Sequence, residues 1–277
     1  MDLDYGMLGG NRPYYRFGDT DGDPLLVVPG LSDAFQRGAP KRSTAMMLTG
    51  LFPEFADRDV WVVGRRRHIP VGSSTRDMAA GYATVIDEQE LWPVDVVGVS
   101  MGGLIAQYLA ADYADYVGSV AIVSAGSRLG GHGENVIKQW RNWAGKGKWT
   151  DVLADTVREA ATGAGQTVVP PLVEFAGRFT DLRPAVPADV VVSCTACLEH
   201  DSRDVLGDIS TPTLVAAGDA DRLFPEPRLR ELKDGIDDST LALFRGVGHD
   251  LMTEETKPLN GIVRRYLEGF RGDGLYP

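Results

Sequence analysis

The chain has 277 residues, of which 43% are apolar, 24% charged and 8% aromatic, the make-up of a globular protein long enough to bury a sizeable core. Lys and Arg number 28 against 39 Asp and Glu, a net charge of −11 that argues against a nucleic-acid-binding surface or a polybasic membrane footprint. No apolar run approaches the roughly 18–20 residues of a transmembrane helix, and Met1-Asp2-Leu3-Asp4 lacks the basic-then-apolar pattern of a secretory leader. The expectation is a cytoplasmic protein with a small-molecule partner, no nucleic acid and no membrane, with homo-oligomerisation left open.

Along the chain, short β-branched runs alternate with longer amphipathic stretches, the pattern of a mostly parallel sheet flanked by helices. The polar, Gly-rich start carries one or two short edge strands around Pro13–Phe17. Strands are then expected at Leu25–Pro29, Val60–Val63, Val94–Val99 and Val117–Val123, each a near-continuous apolar run fit for burial on both faces. Helices are expected at Ser74–Glu90 and Gly102–Ala111. From about Leu129 to Ser210 the strand signal stops, and helical pieces follow at Asn135–Ala144, Thr150–Ala161, Pro171–Phe179 and Ala188–His200. Strands return at Thr213–Ala217 and Leu241–Phe244, with helices at Pro225–Gly235 and Thr256–Phe270. The spacing therefore predicts an α/β core from residues 1–128 and 211–277, carrying residues 129–210 as an inserted helical lid.

The segment Val94–Gly103 reads VDVVGVSMGG, a buried strand running through Gly98-Val99-Ser100-Met101-Gly102 directly into a helix. This is G-x-S-x-G in the strand–turn–helix setting that a nucleophile elbow needs. The turn is so sharp that side chains at 98 and 102 would collide with the neighbouring strand or helix. Ser100 is thereby raised over the sheet edge at a helix N-terminus, where the dipole favours developing negative charge.

A serine hydroxyl needs a base, itself oriented by a carboxylate. Among the four histidines, His249 alone follows a strand in a glycine-flanked loop, Gly246-Val247-Gly248-His249. His68 and His200 read as surface or lid residues, and His132 is kept as a candidate substrate contact. For the carboxylate, Asp219 and Asp221 compete in Gly218-Asp219-Ala220-Asp221-Arg222-Leu223-Phe224-Pro225.

With the order Ser, Asp, His and these surroundings, the chain from Leu25 to Phe270 resembles the α/β-hydrolase fold. The acid of that fold commonly appears as G-x-x-D-x-x-x-P, which matches Gly218, Asp221 and Pro225 and leaves Asp219 as a turn residue. The resemblance implies an oxyanion hole from the backbone N–H of Met101 and a second N–H after the strand at 25–29, assigned to Leu31. Many members carry His-Gly in that loop where this chain has Pro29-Gly30, so a side chain that often braces it is missing. Asp33 is expected to cap the helix starting near Arg42 or to be solvated, rather than to bind substrate.

The implied reaction is hydrolysis of small to medium, partly hydrophobic carboxylic esters through an acyl-enzyme, without metal or organic cofactor. Gly30, Trp140 and Trp143 are candidate substrate contacts. Enol-lactone hydrolysis, C–C bond hydrolysis, acyl transfer and cofactor-free perhydrolysis use the same residues, and a non-catalytic ligand receptor is the reading from another class. Cys194 and Cys197 form C-x-x-C but share an apolar helical stripe with Val190, Val191 and Leu198, which reads as packing. The basic run Arg65-Arg66-Arg67-His68 is expected to pair with surface carboxylates rather than to bind an anion. Finally, 27 Asp outnumber 12 Glu and 22 Arg outnumber 6 Lys, a bias shared by proteins of salt-loving organisms and by Arg-rich proteins of GC-rich genomes.

Overall fold

The computed structural model describes residues 2–163 and 165–269. Their strands form one eight-stranded sheet in the order β1-β2-β4-β3-β5-β6-β7-β8. The edge hairpin pairs β1 (Asp2–Leu8) with β2 (Arg12–Gly18), and β2 meets β4 (Asp59–Val63) antiparallel. All the remaining pairings are parallel, through β3 (Pro24–Val28), β5 (Val94–Val99), β6 (Val117–Val123), β7 (Thr213–Gly218) and β8 (Ser239–Phe244).

Alternate side chains of the central strands enter opposite layers, as the two-residue repeat of a strand requires. Leu26, Val28, Val96 and Ile122 pack on one face with α2 (Thr75–Glu88) and α3 (Met101–Asp112). Leu25, Val27, Val97 and Val123 pack on the other, against α1 (Arg42–Thr49) and the helix over Thr256–Leu267. Burial on both faces is why these strands read as unbroken apolar runs.

Among the described residues, the regular elements between β6 and β7 are helical, chiefly α4 (Gly131–Gly145), α5 (Trp149–Ala160), α6 (Gly165–Ala176) and α7 (Pro187–Glu199). The third starts earlier than expected. Its apolar spacing, Val168, Val169, Leu172 and Val173, continues straight through Pro170 and Pro171, which lie inside the helix. The chain closes with α8 (Glu226–Gly235), α9 (Leu251–Glu254) and α10 (Thr256–Leu267). The expected end of the last helix, Phe270, lies outside the described residues. Among the described residues no helix is long and apolar enough to cross a membrane.

The order of strands fixes where a site can form. After β4 the chain crosses back over β3 to β5, so the loops leaving β3 and β5 part at the carboxyl ends of two adjacent strands, with Val28 registered on Gly98. That divergence opens the crevice typical of ligand sites in open α/β sheets.

Candidate active site

A single residue, Ser100, joins β5 to α3. Its backbone has φ 53° and ψ −120°, a region that costs a non-glycine residue about 1–3 kcal/mol. The strain is held from both sides. Ser100 donates its N–H to the Val123 carbonyl at 2.8 Å, and its own carbonyl accepts from Gly103 at 2.8 Å and Leu104 at 3.2 Å. The flanking glycines are sterically required: a Cβ on Gly98 would lie 2.6 Å from the Gly102 carbonyl oxygen and 2.7 Å from the Ala106 Cβ.

Three side chains predicted from the sequence come together here. Ser100 Oγ lies 2.8 Å from His249 Nε2, and His249 Nδ1 lies 2.8 Å from Asp221 Oδ2. A carboxylate has no proton to give, so Nδ1 carries the ring hydrogen and Nε2 accepts from the serine hydroxyl. Asp221 is fixed in turn, its Oδ1 accepting the N–H groups of Leu223 at 2.8 Å and Phe224 at 3.0 Å. Close approach of the two loops depends on Gly218, where a Cβ would fall 2.0 Å from the Val247 carbonyl oxygen. Asp219 accepts the Gly246 N–H at 2.7 Å and ties the same loops together from outside the site. Burial by itself would lower the His249 pKa, but the adjoining Asp221 carboxylate outweighs it and the net direction is upward. The Phe224 ring stacks on the imidazole, centroids 5.9 Å apart.

Ser100 and His249 open into a cavity of about 280 Å³ roofed by α4, α5 and α7. Gly30, Leu31, Met101 and Trp140 line it, as the sequence suggested, and Trp140 donates its indole N–H to Asp155 at 2.9 Å. Trp143 does not line it. One helical turn further along α4, it is half-buried against the core. Sequence reasoning missed Ile137, Val157, Phe224, Asp250 and Met252, all in the lining. Ile137 lies three residues before Trp140, a spacing that marks a shared helix face. Burial raises the Asp250 carboxyl. A larger groove, about 400 Å³, runs along α2 away from Ser100.

The other histidines sit elsewhere. His132 Nε2 is 2.7 Å from Glu159, rather than in the cavity lining. His68 is exposed. His200 is buried with Nδ1 2.8 Å from the Thr75 hydroxyl, and desolvation pushes its pKa down to about 3. Cys194 and Cys197 are buried on α7, with the Cys197 thiol pushed up to about 12 by desolvation while it contributes to the cavity wall.

Two expectations need correction. Asp33 neither caps α1 nor faces solvent: its side chain is 5% exposed, 3.7 Å from the Arg65 guanidinium, and accepts the Arg65 N–H at 2.8 Å. Arg65, correspondingly, is no surface residue but is 3% exposed. The basic run is split because it leaves the end of β4, sending Arg65 beneath the loop that follows β3 while Arg66 stays outside.

Residues 62–256 match the family model described as serine aminopeptidase, S33. The chain belongs to that family, within the α/β-hydrolase superfamily, and is a hydrolase of this fold. It is 25% identical over 212 residues to a 2-hydroxy-6-oxononadienedioate/2-hydroxy-6-oxononatrienedioate hydrolase of a Pseudomonas species, 74% of each chain. A match to the AB hydrolase superfamily protein YisY of Bacillus subtilis (strain 168) is 35% identical over 71 residues, 26% of each chain. Among solved structures, the enol-lactonase of Burkholderia xenovorans LB400 superposes with a TM-score of 0.76 at 20% identity, covering 96% of this chain and 100% of that one.

Proposed function

We propose that this hydrolase cleaves small to medium, neutral carboxylic esters through an acyl-enzyme on Ser100. The observation that carries the reading is the unbroken relay of 2.8 Å contacts from Ser100 Oγ through His249 to Asp221, opening into a largely apolar cavity. As Ser100 attacks the carbonyl, His249 takes its proton and Asp221 stabilises the imidazolium. The N–H groups of Leu31 and Met101 receive the oxyanion, aided by the N-terminal end of the α3 dipole. His249 then protonates the leaving alcohol, and a water activated by the same ring releases the acid. The helices between β6 and β7 serve as a lid that limits bulk solvent in the cavity while a single water reaches the acyl-enzyme.

The charge of the lining narrows the substrate. Among the described residues lining the cavity there is no Lys or Arg, and Asp250 adds a carboxyl group. A dioate of the kind named for the Pseudomonas relative would enter without a cation to meet it, so an uncharged acyl group fits better.

The test is a p-nitrophenyl ester series, from acetate to long acyl chains, on wild type and Ser100→Ala. Turnover that peaks at one chain length and disappears in the variant is the expected result. Release of a single equivalent would point to transfer onto another acceptor, and no release at all would refute the ester reading.

A further inference from the structure

We propose that Arg65 is a positioning residue for the oxyanion hole, clamping the loop after β3 so that the Leu31 N–H faces the reacting carbonyl. Within itself the loop is held by the Asp33 N–H, which donates to the Gly30 carbonyl at 3.2 Å. Pro29 contributes no N–H and no polar side chain, and Gly30 is the residue with the greatest backbone freedom. Yet this loop lies against the nucleophile, since a Cβ on Gly30 would be 3.2 Å from the Ser100 Cβ.

Arg65 reaches it from the carboxyl end of the adjacent parallel strand. Its Nη1 donates to the carbonyls of Pro29 at 3.1 Å and Gly30 at 3.0 Å, and its Nη2 to Gly30 at 3.0 Å and Leu31 at 3.3 Å. One guanidinium thus holds three consecutive carbonyls. The planar fork suits this task, and an ammonium on a flexible stem does not reproduce it.

Peptide geometry turns the clamp into aim. The Gly30 carbonyl and the Leu31 N–H belong to one planar trans peptide, so they point in opposite directions. Holding the carbonyl toward Arg65 from both Nη atoms directs the N–H away from it, to the side on which Leu31 joins Ser100 in the cavity lining. The cation also polarises that amide in the sense that strengthens its donor.

Asp33 completes the strut. Its Oδ2 offsets the buried charge from 3.7 Å and accepts the Arg65 backbone N–H, while Oδ1 accepts from the Gln36 amide at 2.8 Å. A Cβ on Gly64 would lie 2.5 Å from Asp33 Oδ1, so the preceding glycine makes room for the carboxylate. The pair links the end of β4 to the turn Leu31–Phe35.

This inference rests on acyl transfer at Ser100, so the experiment separates the two. Wild type, Arg65→Lys and Arg65→Ala would be compared for kcat and KM on the preferred p-nitrophenyl ester, and for the rate at which a fluorophosphonate labels Ser100. Loss of one oxyanion donor predicts a fall in kcat of about 10²–10³-fold for Arg65→Ala. KM should stay within about threefold, labelling should slow in parallel with kcat, and millimolar guanidinium should restore part of the rate. Arg65→Lys should fall between. A purely structural role would move the melting temperature without this kcat-selective loss or the rescue.

If Arg65→Ala fails to fold, the double variant Asp33→Asn/Arg65→Met, which leaves no buried charge unpaired, should show the same loss of kcat. A folded variant with wild-type kcat and labelling rate would overturn the clamp alone. Wild type inert to both esters and fluorophosphonate would overturn the reading of Ser100, and the clamp with it.

Discussion

The Cβ position of Gly102 falls 1.9 Å from the carbonyl oxygen of Val28 and 2.9 Å from that of Pro29. The helix that begins beside Ser100 therefore grazes the backbone of β3 just where its loop departs. Gly102→Ala has no room unless α3 or that loop moves, and both carry the site. We expect thermal unfolding to register a loss of about 3 kcal/mol or more, with ester turnover falling further than the folded fraction accounts for. An alanine variant with wild-type melting and turnover would contradict the packing.

The pH dependence should follow the Asp221–His249 pair. In the proposed mechanism the base form of His249 is the active one, and its pKa is raised above the ordinary 6.5, burial opposing and Asp221 prevailing. The acid limb of kcat/KM is therefore expected above pH 6.5. Asp221→Asn leaves burial without its counterweight, so the limb should move to lower pH while kcat drops by about 10⁴-fold. Rate profiles of both proteins check the sign; a limb that stays put in the variant would detach Asp221 from the histidine.

Cavity size should be adjustable from α5. Val157 is half-buried and lines the chamber beside Thr156 and Ala160. Val157→Phe adds several carbons to a space of about 280 Å³, and the preferred acyl chain should shorten by two or more methylenes, at roughly 0.8 kcal/mol of lost burial each. The ester series reads this directly. Unaltered chain preference would mean that the acyl group lies elsewhere.

His200 makes a prediction about acid stability. Burial depresses its folded pKa to about 3, against 6.5 when unfolded, so the unfolded chain binds the extra proton first as pH falls. The stability from a neutral His200 is complete above pH 6.5 and is lost progressively toward pH 3. Between pH 6.5 and 4.5 this one group should account for about 2 kcal/mol of lost stability. His200→Gln should flatten the urea-denaturation pH profile by that amount, whatever its effect on absolute stability. Parallel profiles for the two proteins would show that His200 does not carry it.

What the sequence made readable was local. VDVVGVSMGG specifies a buried strand, a turn with no space for side chains and a helix within one stretch, and β5 runs over the expected residues, Val94–Val99. The contact of His249 with Ser100 was reachable by elimination among four histidines, and that of Asp221 with His249 by the spacing from Gly218 and Pro225. The strand Ser239–Phe244 begins before its apolar run because its first residues are half-exposed and polar, giving periodicity nothing to register. The Asp33–Arg65 strut was hidden for a different reason: it joins residues 32 positions apart at the ends of two neighbouring strands, and a run of three arginines looks like a solvated face. The available hint was Pro29-Gly30 itself, a pair with no polar side chain to brace the loop. Trp140 and Trp143 were indistinguishable by residue type, and only the length of α4 separates the one in the cavity wall from the other.

The groups proposed to react are divided unequally across the sheet. Ser100, Met101 and Leu31 hang from β3 and β5, paired to each other and flanked on both sides, whereas Asp221 and His249 follow β7 and β8, the last two strands in the order. Sheets that open by degrees release their margins before their middle. Detachment of β8 would carry His249 away while the strained turn at Ser100 stayed folded, leaving the proposed anion pocket without its proposed proton acceptor. Amide exchange should accordingly be faster along β8 than along β5, and inactivation on gentle heating should precede global unfolding.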